Sequence, residues 1–212
     1  MNIAVVAPTS LPARRANTMQ VMKMAQALAA LGHTVQVAVP RPPNEMGTLP
    51  TWEQLAHHYG LERSFPITWL PARPLWRRYD FASRALRWAS SWGAQLLYTR
   101  LPQAAALASA RGFPTILEAH DLPSGQGGPF LLRLFLANPG ARRLVLISQA
   151  LRSDLAGFLG IPLDPPFTLV APDGVDLARF SGLPEPEQAR AALEPKLAAA
   201  AEQVGTTFLS CC

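Results

Sequence analysis

The first stretch of the chain, MNIAVVAPTSLPARRANTMQVMKMAQALAALGHTVQVAVP (residues 1–40), carries the pattern that predicts the fold. It starts with a short apolar run, Asn2–Ala7, which is typical of a buried strand. The segment Thr18–Leu31 then has apolar residues at helical spacing, and Gly32 follows it as a helix stop. A second apolar run, Thr34–Val39, ends at Pro40. Strand, helix and strand in this order predict one β-α-β unit with parallel strands.

The same alternation continues as far as Val170. Further strands are predicted at Ile67–Leu70, Gln95–Thr99, Thr115–Ala119, Leu144–Ile147 and Phe167–Val170, and helices at 51–59, 75–92, 102–110, 130–137 and 149–159. This order predicts an α/β fold with a Rossmann-like, mostly parallel sheet and helices on both faces. We expect one domain over residues 1–180. Residues 181–212 are rich in Pro, Glu and Ala and predict a linker, a weakly amphipathic helix and a tail, with no second core.

The composition indicates a globular protein, because 49% of the residues are hydrophobic and only 16% are charged. No apolar run reaches the roughly 18 residues that a membrane span needs. The N-terminus lacks the basic region of a signal peptide. The two cysteines, Cys211 and Cys212, are the last two residues, so the core has no disulfide. From these features we expect a cytoplasmic protein.

The net charge of +5 is concentrated in one segment. Between residues 73 and 100 the only acid is Asp80, whereas the arginines are Arg73, Arg77, Arg78, Arg84, Arg87 and Arg100. Such a local positive field predicts a local acidic partner, either phosphate or an anionic membrane surface. No nucleic acid partner is expected.

The segment RPLWRRYDFASRALRWASSW (residues 73–92) combines these arginines with aromatic residues, Trp88 among them. On one helix, Arg77 and Arg84 share a face, with Arg73 a turn before them and Arg87 a turn after. Basic and aromatic residues on one helix are typical of peripheral contact with an anionic membrane, here its inner face. The alternative is a helix packed on the sheet whose arginines are simply solvated.

Several polar residues follow the predicted strands directly, where ligands bind in open parallel sheets. They are Arg100, His120, Asp121 and Ser148, and Glu118 lies at the end of the strand that precedes His120. His120 can serve as a general base or hydrogen-bond a hydroxyl or phosphate of a substrate. Glu118 lies two residues earlier, on the same face of the strand, and can orient His120. The alternatives are a structural histidine, a helix-capping Glu118 and a structural ion pair between Arg100 and Glu118.

The loop PTSLPARRANTMQ (residues 8–20) opens the first crossover helix. A helix N-terminus attracts anions, and Arg14, Asn17 and Thr18 add side-chain donors. The loop contains no glycine, which argues against a dinucleotide-binding fingerprint or a P-loop. The alternative is a surface loop in which Asn17 or Thr18 caps the helix.

Five segments resemble glycosyltransferase family 4 of the GT-B fold in the same order. They are the β-α-β unit of residues 1–40, LLYTRLPQAAALA, TILEAHD, LVLISQALRSDL and LVAPDGVDLARF. The resemblance implies retaining transfer of a sugar from a UDP- or GDP-sugar to a glycan or lipid-linked acceptor, without a metal or other cofactor. It places His120 near the donor sugar and phosphates, and Asn17 and Thr18 in a loop facing the phosphates. It also makes Pro172, Asp173, Gly174 and Asp176 the passage between two domains.

The resemblance ends near Leu193, where the family continues into a nucleotide-sugar domain. This chain instead has EPKLAAAAEQVGTTFLSCC. We therefore expect an N-terminal acceptor-side domain that is incomplete as this chain, through truncation or because the second half is encoded separately. The alternative function is a non-catalytic module that binds an acceptor or a membrane. An NAD-dependent oxidoreductase is disfavoured by the missing glycine fingerprint.

Overall fold

The computed structural model describes residues 1–42, 49–73, 79–125, 127–175, 177 and 181–204, with side chains as far as 197. Predictions that involve Arg77, Arg78, Asp176, Cys211 or Cys212 lie outside these residues. The described chain divides into two compact units, Met1–Asp173 and Gly174–Cys212.

The first unit alternates strands and helices throughout. Its strands are β1 Asn2–Val6, β2 Thr34–Pro40, β3 Ile67–Leu70, β4 Leu96–Thr99, β5 Thr115–Ala119, β6 Ala141–Leu146 and β7 Thr168–Val170. Its helices are α1 Ala16–Ala30, α2 Trp52–Tyr59, α3 Tyr79–Trp92, α4 Pro102–Ala110, α5 Gly128–Leu136 and α6 Gln149–Leu159. Each element that the alternation predicted is therefore present in this unit.

The seven strands form one parallel sheet in the order β3-β2-β1-β4-β5-β6-β7. The order reverses between β1 and β4, so the chain crosses to the other side of β1 after β3. In open parallel sheets a crevice forms at the carboxyl ends of the strands at such a reversal. The predicted Rossmann-like architecture is confirmed.

Apolar residues cover both faces of the sheet because neighbouring residues of a buried strand point to opposite sides. Ile3 and Val5 of β1 belong to a core cluster that includes α1 and α2. Ala4 and Val6 belong to a second cluster, with α3 and α4. A third cluster joins α5 and α6 to β5 and β6.

Helix α1 begins at Ala16, two residues before the predicted start. The residue at its N-cap position is Arg15, and no side chain accepts a hydrogen bond there. The alternative in which Asn17 or Thr18 caps this helix is therefore wrong. The Thr18 hydroxyl instead donates back to main-chain carbonyls, as described below.

Helix α3 is described from Tyr79, so the predicted start near residue 75 lies outside the described residues. Arg73 is described and does not lie in a helix. Its main-chain N–H donates to Oδ2 of Asp80 at 2.7 Å, so Arg73 contacts the first turn of α3. The prediction that Arg73 continues the helical face by one turn is therefore wrong.

The second unit contains helix α7, Pro186–Val204, with Pro195 inside it. Leu193 and Leu197 of this helix are both exposed. Among the described residues, no helix has both the length and the apolar character needed to cross a membrane.

Candidate functional site

The register of β4 and β5 places Arg100 beside Glu118. Thr99 is paired with Leu117, so the residues that follow them are neighbours at the carboxyl edge of the sheet. Arg100 Nε lies 3.9 Å from Glu118 Oε1, and Glu118 is only 4% exposed. This ion pair was one of the alternatives that the sequence left open.

Both oxygens of the Glu118 carboxylate have partners. Oε2 accepts a hydrogen bond from the hydroxyl of Tyr98, which lies on β4. Oε1 is hydrogen-bonded to Nε2 of His120. A buried carboxylate is costly unless its lone pairs are satisfied, so these contacts allow Glu118 to lie inside the fold.

Tyr98 was not among the residues expected in the site. It is 9% exposed and belongs to the first core cluster. Burial, and after it the neighbouring charge of Glu118, raises the pKa of Tyr98. The phenol therefore stays protonated and acts as a hydrogen-bond donor to the carboxylate.

His120 lies between a buried and an exposed carboxylate. Its side chain is 16% exposed, and Nε2 lies 3.9 Å from Oδ1 of Asp173, which is 53% exposed. Asp173 was predicted only as part of a passage between domains. The structure also places its carboxylate beside the predicted catalytic histidine.

Glu118, His120 and Asp173 each offer one ligand atom within 4.8 Å of the others, which makes them a candidate set for a metal ion. Their chemistry does not fit a cation well. Nε2 of His120 is committed to a hydrogen bond with Glu118, and the Arg100 guanidinium already supplies positive charge beside the carboxylate. The expectation that no metal takes part remains a prediction.

The loop between β1 and α1 is held by two hydroxyl groups that both contact Ala13. The Ala13 N–H donates to the Tyr59 hydroxyl at 2.8 Å. The Thr18 hydroxyl lies 2.7 Å from the Ala13 carbonyl oxygen and 2.8 Å from that of Arg15. Thr18 is fully buried, so its side chain stabilises the loop. Its predicted contact with a ligand remains a prediction.

Arg14 and Asn17, the other predicted residues of this loop, are both exposed. A small cavity lies between the middle of α1 and the cluster around Glu118. It is lined by Val5, Val6, Ala7, Gln20, Val21, Met24, Tyr98, Thr99, Arg100 and Glu118. Helix α1 and the cluster around Glu118 therefore border the same cavity.

One donor of Arg100 is unsatisfied. Its Nη1 atom is buried and has no hydrogen-bond partner in the described part of the chain. A buried guanidinium donor without a partner is costly, so a ligand oxygen or an ordered water would stabilise it.

Four further residues were predicted for the site or for the passage between domains: Asp121, Ser148, Pro172 and Gly174. The Ser148 hydroxyl accepts from the Leu151 N–H at 3.1 Å and so caps α6. Asp121, Pro172 and Gly174 are exposed. The structure therefore brings Arg100, Glu118, His120 and Asp173 into contact, together with Tyr98.

Helix α3 buries one face and exposes another. Phe81, Ala85 and Ala89 are buried, whereas Arg87 is exposed and Arg84 is half-buried. Trp88 stacks on Trp92, with ring centroids 6.0 Å apart, and both are partly buried against the second core cluster. Phe81, Trp88 and Trp92 thus contribute to packing, whereas Arg87 faces solvent.

A separate groove lies at the β3 edge of the sheet. It has a volume of about 420 Å³ and is lined by Pro50, Trp52, Leu55, Ser64, Phe65, Pro66, Ile67 and Trp69. None of these residues belongs to the cluster around Glu118, because β2, β1 and β4 lie between β3 and β5.

The spacing of the sequence indicates that Tyr98 lies on the same face of the sheet as Arg100, although Tyr98 was not among the predicted site residues. Tyr98 lies two residues before Arg100 on a strand, as Glu118 lies two residues before His120. Period-two alternation puts each pair on one face of the sheet. Tyr59 carried no such signal, because its contact with Ala13 joins residues 46 apart in the chain.

The profile of Glycosyltransferase Family 4 matches residues 18–179. No curated protein matches the sequence. The match includes Arg100, Glu118, His120 and Asp173.

Solved structures with the same fold include several glycosyltransferases. Sucrose-phosphate synthase from Thermosynechococcus elongatus is 17% identical with a TM-score of 0.64, and the match covers 91% of this chain and 52% of that one. A glycosyltransferase from Rickettsia africae is 14% identical with a TM-score of 0.61, covering 92% and 49%. The Anabaena protein HepE, solved with UDP and glucose, is 17% identical with a TM-score of 0.57, covering 91% and 49%. The chain thus spans about half the length of these proteins, and the likeness is one of fold.

Proposed function

The chain belongs to glycosyltransferase family 4, and from this we propose that it forms the acceptor-side half of a retaining transferase. The reaction moves a sugar from a nucleotide-sugar donor to a glycan or lipid-linked acceptor. The observation that carries the proposal is the cluster of Arg100, Glu118 and His120 at the carboxyl edge, within the matched segment. One of the structural neighbours, HepE, was solved with UDP and glucose.

The chemistry of the cluster suits transfer from a sugar diphosphate. The transition state has a positive, oxocarbenium-like carbon and a negative leaving group. Arg14, the start of α1 and the unsatisfied donor of Arg100 can attract the leaving diphosphate. His120, held by Glu118, can hydrogen-bond a hydroxyl of the bound sugar or acceptor. We propose that these steps need no metal.

The second domain of such an enzyme would supply the main contacts with the nucleotide. The chain covers only 49% of the Rickettsia africae glycosyltransferase and 52% of the sucrose-phosphate synthase. We therefore propose that catalysis needs both halves, and that Pro172, Asp173 and Gly174 lie in the passage between them.

The test is transfer and hydrolysis of UDP- and GDP-sugars by the purified 212-residue protein, alone and together with a C-terminal half encoded nearby. We expect little turnover alone and a gain of at least 100-fold when both halves are present. His120→Ala should abolish that gain, whereas Arg142→Ala, an exposed change at the other end of β6, should leave it intact. Full turnover by the 212-residue protein alone would contradict the need for a second half.

A non-catalytic module that binds an acceptor or a membrane is the second candidate. The exposed arginines of α3 and the segment before it, Arg73 and Arg87, favour contact with an anionic surface. We propose this contact as peripheral, on the inner face of the membrane. A protein that binds anionic vesicles but never binds a nucleotide sugar, with or without a C-terminal half, would support this candidate over the transferase.

A further inference from the structure

We propose that Tyr98 is a positioning residue of the site: through the Glu118 carboxylate it fixes which ring nitrogen of His120 is free to meet a ligand. The identity of that ligand rests on the proposed function. The arrangement of the three side chains does not, so the two can be tested separately.

Tyr98 is itself held firmly. It lies in β4, where it is paired with Ile116 of β5, two residues before Glu118. Tyr98, Ile116 and Glu118 therefore lie on the same face of the sheet. The Tyr98 ring packs in the first core cluster, and its hydroxyl reaches Oε2 of Glu118.

The hydroxyl fixes the orientation of the carboxylate. With Oε2 bonded to Tyr98, Oε1 is the oxygen that faces Nε2 of His120. Arg100 Nε, 3.9 Å from Oε1, places a positive charge beside the same oxygen. Rotation of the carboxylate would break its hydrogen bond with Tyr98. The Glu118 side chain is only 4% exposed, so water could not easily replace that bond.

An ionised carboxylate accepts hydrogen bonds and cannot donate them, so Nε2 of His120 must carry the proton. In the neutral ring, Nδ1 then holds the lone pair and is the nitrogen available to accept a hydrogen bond from a ligand hydroxyl. Tyr98 acts on the ligand only through Glu118 and His120.

Removing the Tyr98 hydroxyl would leave Oε2 unpaired in a buried site. The carboxylate would then turn to recover a partner, so that Oε1 would no longer be held facing Nε2. Without that fixed acceptor, a larger fraction of the rings would carry the proton on Nδ1. The free nitrogen of His120 would thus change from an acceptor to a donor.

The experiment is nitrogen-15 NMR of the histidine rings in the labelled 212-residue protein, at a slightly alkaline pH. Protonated and unprotonated ring nitrogens have well-separated shifts, and His120→Gln identifies the His120 signals. In the unchanged protein we expect a proton on Nε2. In Tyr98→Phe we expect a larger fraction with the proton on Nδ1, and about 10-fold faster exchange of the Nε2 proton with water.

Tyr59→Phe is the matched control. It also removes a buried phenol hydroxyl, but that hydroxyl contacts the main chain of Ala13 and not Glu118. Its His120 signals should match those of the unchanged protein. Unchanged His120 signals in a folded Tyr98→Phe variant, or an equal change in Tyr59→Phe, would overturn the proposal.

A second measurement covers the case in which Tyr98→Phe does not fold. The chain has three tyrosines, so Tyr59→Phe with Tyr79→Phe leaves Tyr98 alone. Incorporating 3-fluorotyrosine into that variant gives Tyr98 a more acidic hydroxyl with little change in shape. The Nε2 proton resonance of His120 should move, and no movement would refute the coupling. If nucleotide sugars fail to bind, the proposed function is wrong, but these spectra still test whether Tyr98 controls the ring proton of His120.

Discussion

The hydroxyl of Tyr98 on β4 donates to the carboxylate of Glu118 on β5, beneath the histidine at the edge of the sheet. Two adjacent strands thus contribute opposite ends of one buried hydrogen bond. This hydrogen bond orients His120, and it also makes the stability of the fold depend on pH in the alkaline range.

We expect alkaline pH to weaken the fold partly through Tyr98. Its pKa is raised in the folded protein by burial and by Glu118, whereas tyrosine in the unfolded chain ionises near pH 10. Above that pH the unfolded chain loses the proton first, so the stabilising contribution of Tyr98 is complete below about pH 10 and is lost as the pH rises further. Urea unfolding between pH 8 and pH 11 measures this.

In Tyr98→Phe the free energy of unfolding should be lower by about 1–2 kcal/mol at neutral pH. The difference from the unchanged protein should then narrow above about pH 10, because the variant has no phenol to ionise at this position. If the difference in the free energy of unfolding between the two proteins stays constant up to pH 11, this explanation is wrong.

We expect Gly140→Ala to destabilise the fold strongly. A Cβ at this position would lie 2.6 Å from the Phe113 carbonyl oxygen and 2.6 Å from Cα of Ser109, both main-chain atoms. The turn before β6 must therefore move, at a cost of about 2–4 kcal/mol. Thermal or urea unfolding measures the loss.

Gly157→Ala is the matched control for Gly140→Ala. Gly157 lies inside α6, and a Cβ there would meet nothing within 4 Å. Alanine should raise stability by up to about 1 kcal/mol, because it favours the helix more than glycine does. Equal losses in the two variants would show that close packing at Gly140 is not the cause.

We expect Thr18→Val to loosen the loop before α1. The change keeps the shape of the side chain but removes the hydroxyl that lies 2.7 Å from the Ala13 carbonyl oxygen. The expected loss in the free energy of unfolding is about 1–2 kcal/mol, with faster amide exchange at Ala13.

Asn17→Ala serves as the control for Thr18→Val. Asn17 is the preceding residue and is exposed, so the change should alter stability by no more than about 0.5 kcal/mol. If Asn17→Ala lowers the free energy of unfolding as much as Thr18→Val does, the Thr18 hydroxyl is not what stabilises the loop.

We expect weak binding to vesicles that contain anionic lipid, and loss of that binding as salt is raised. Arg84→Glu combined with Arg87→Glu should weaken it at least 10-fold, because both residues lie on α3 in the basic segment. Vesicle co-sedimentation at two salt concentrations measures the effect.

Arg142→Glu combined with Arg143→Glu is the charge-matched control. Both arginines are exposed at the start of β6, and the net charge changes by the same amount. Equal weakening by the two double variants would mean that the interaction follows overall charge, without a specific surface on α3.

Much of the fold could be predicted because the signals are local. Apolar runs such as Asn2–Ala7 and helical spacing such as that of 149–159 depend only on neighbours in the chain, and the structure confirms a strand and a helix at these places. The Ser148 cap was predictable for the same reason. The start of α1 was misplaced because Thr18, which resembles a cap, donates back to carbonyl groups of the preceding loop.

The candidate site was only partly predictable. Arg100 and His120 follow strands and Glu118 lies near the end of one, so their place at the carboxyl edge came from local pattern and strand order. The contacts of Tyr98 with Glu118 and of Asp173 with His120 depend on which strands are neighbours and where the chain passes after β7. The sequence alone does not give the distances between these residues.

The sequence by itself determined the order and type of the elements, because side-chain periodicity and main-chain preferences act over a few residues. It also determined the family, through segments spread over much of the chain. Only the tertiary structure decided that the β4–β5 register brings a phenol to a buried carboxylate, and that the carboxylate holds His120 by one nitrogen. The physical reason is that hydrogen-bond partners are set by packing between residues distant in the chain, whereas local spacing shows only on which face of its own strand a residue lies.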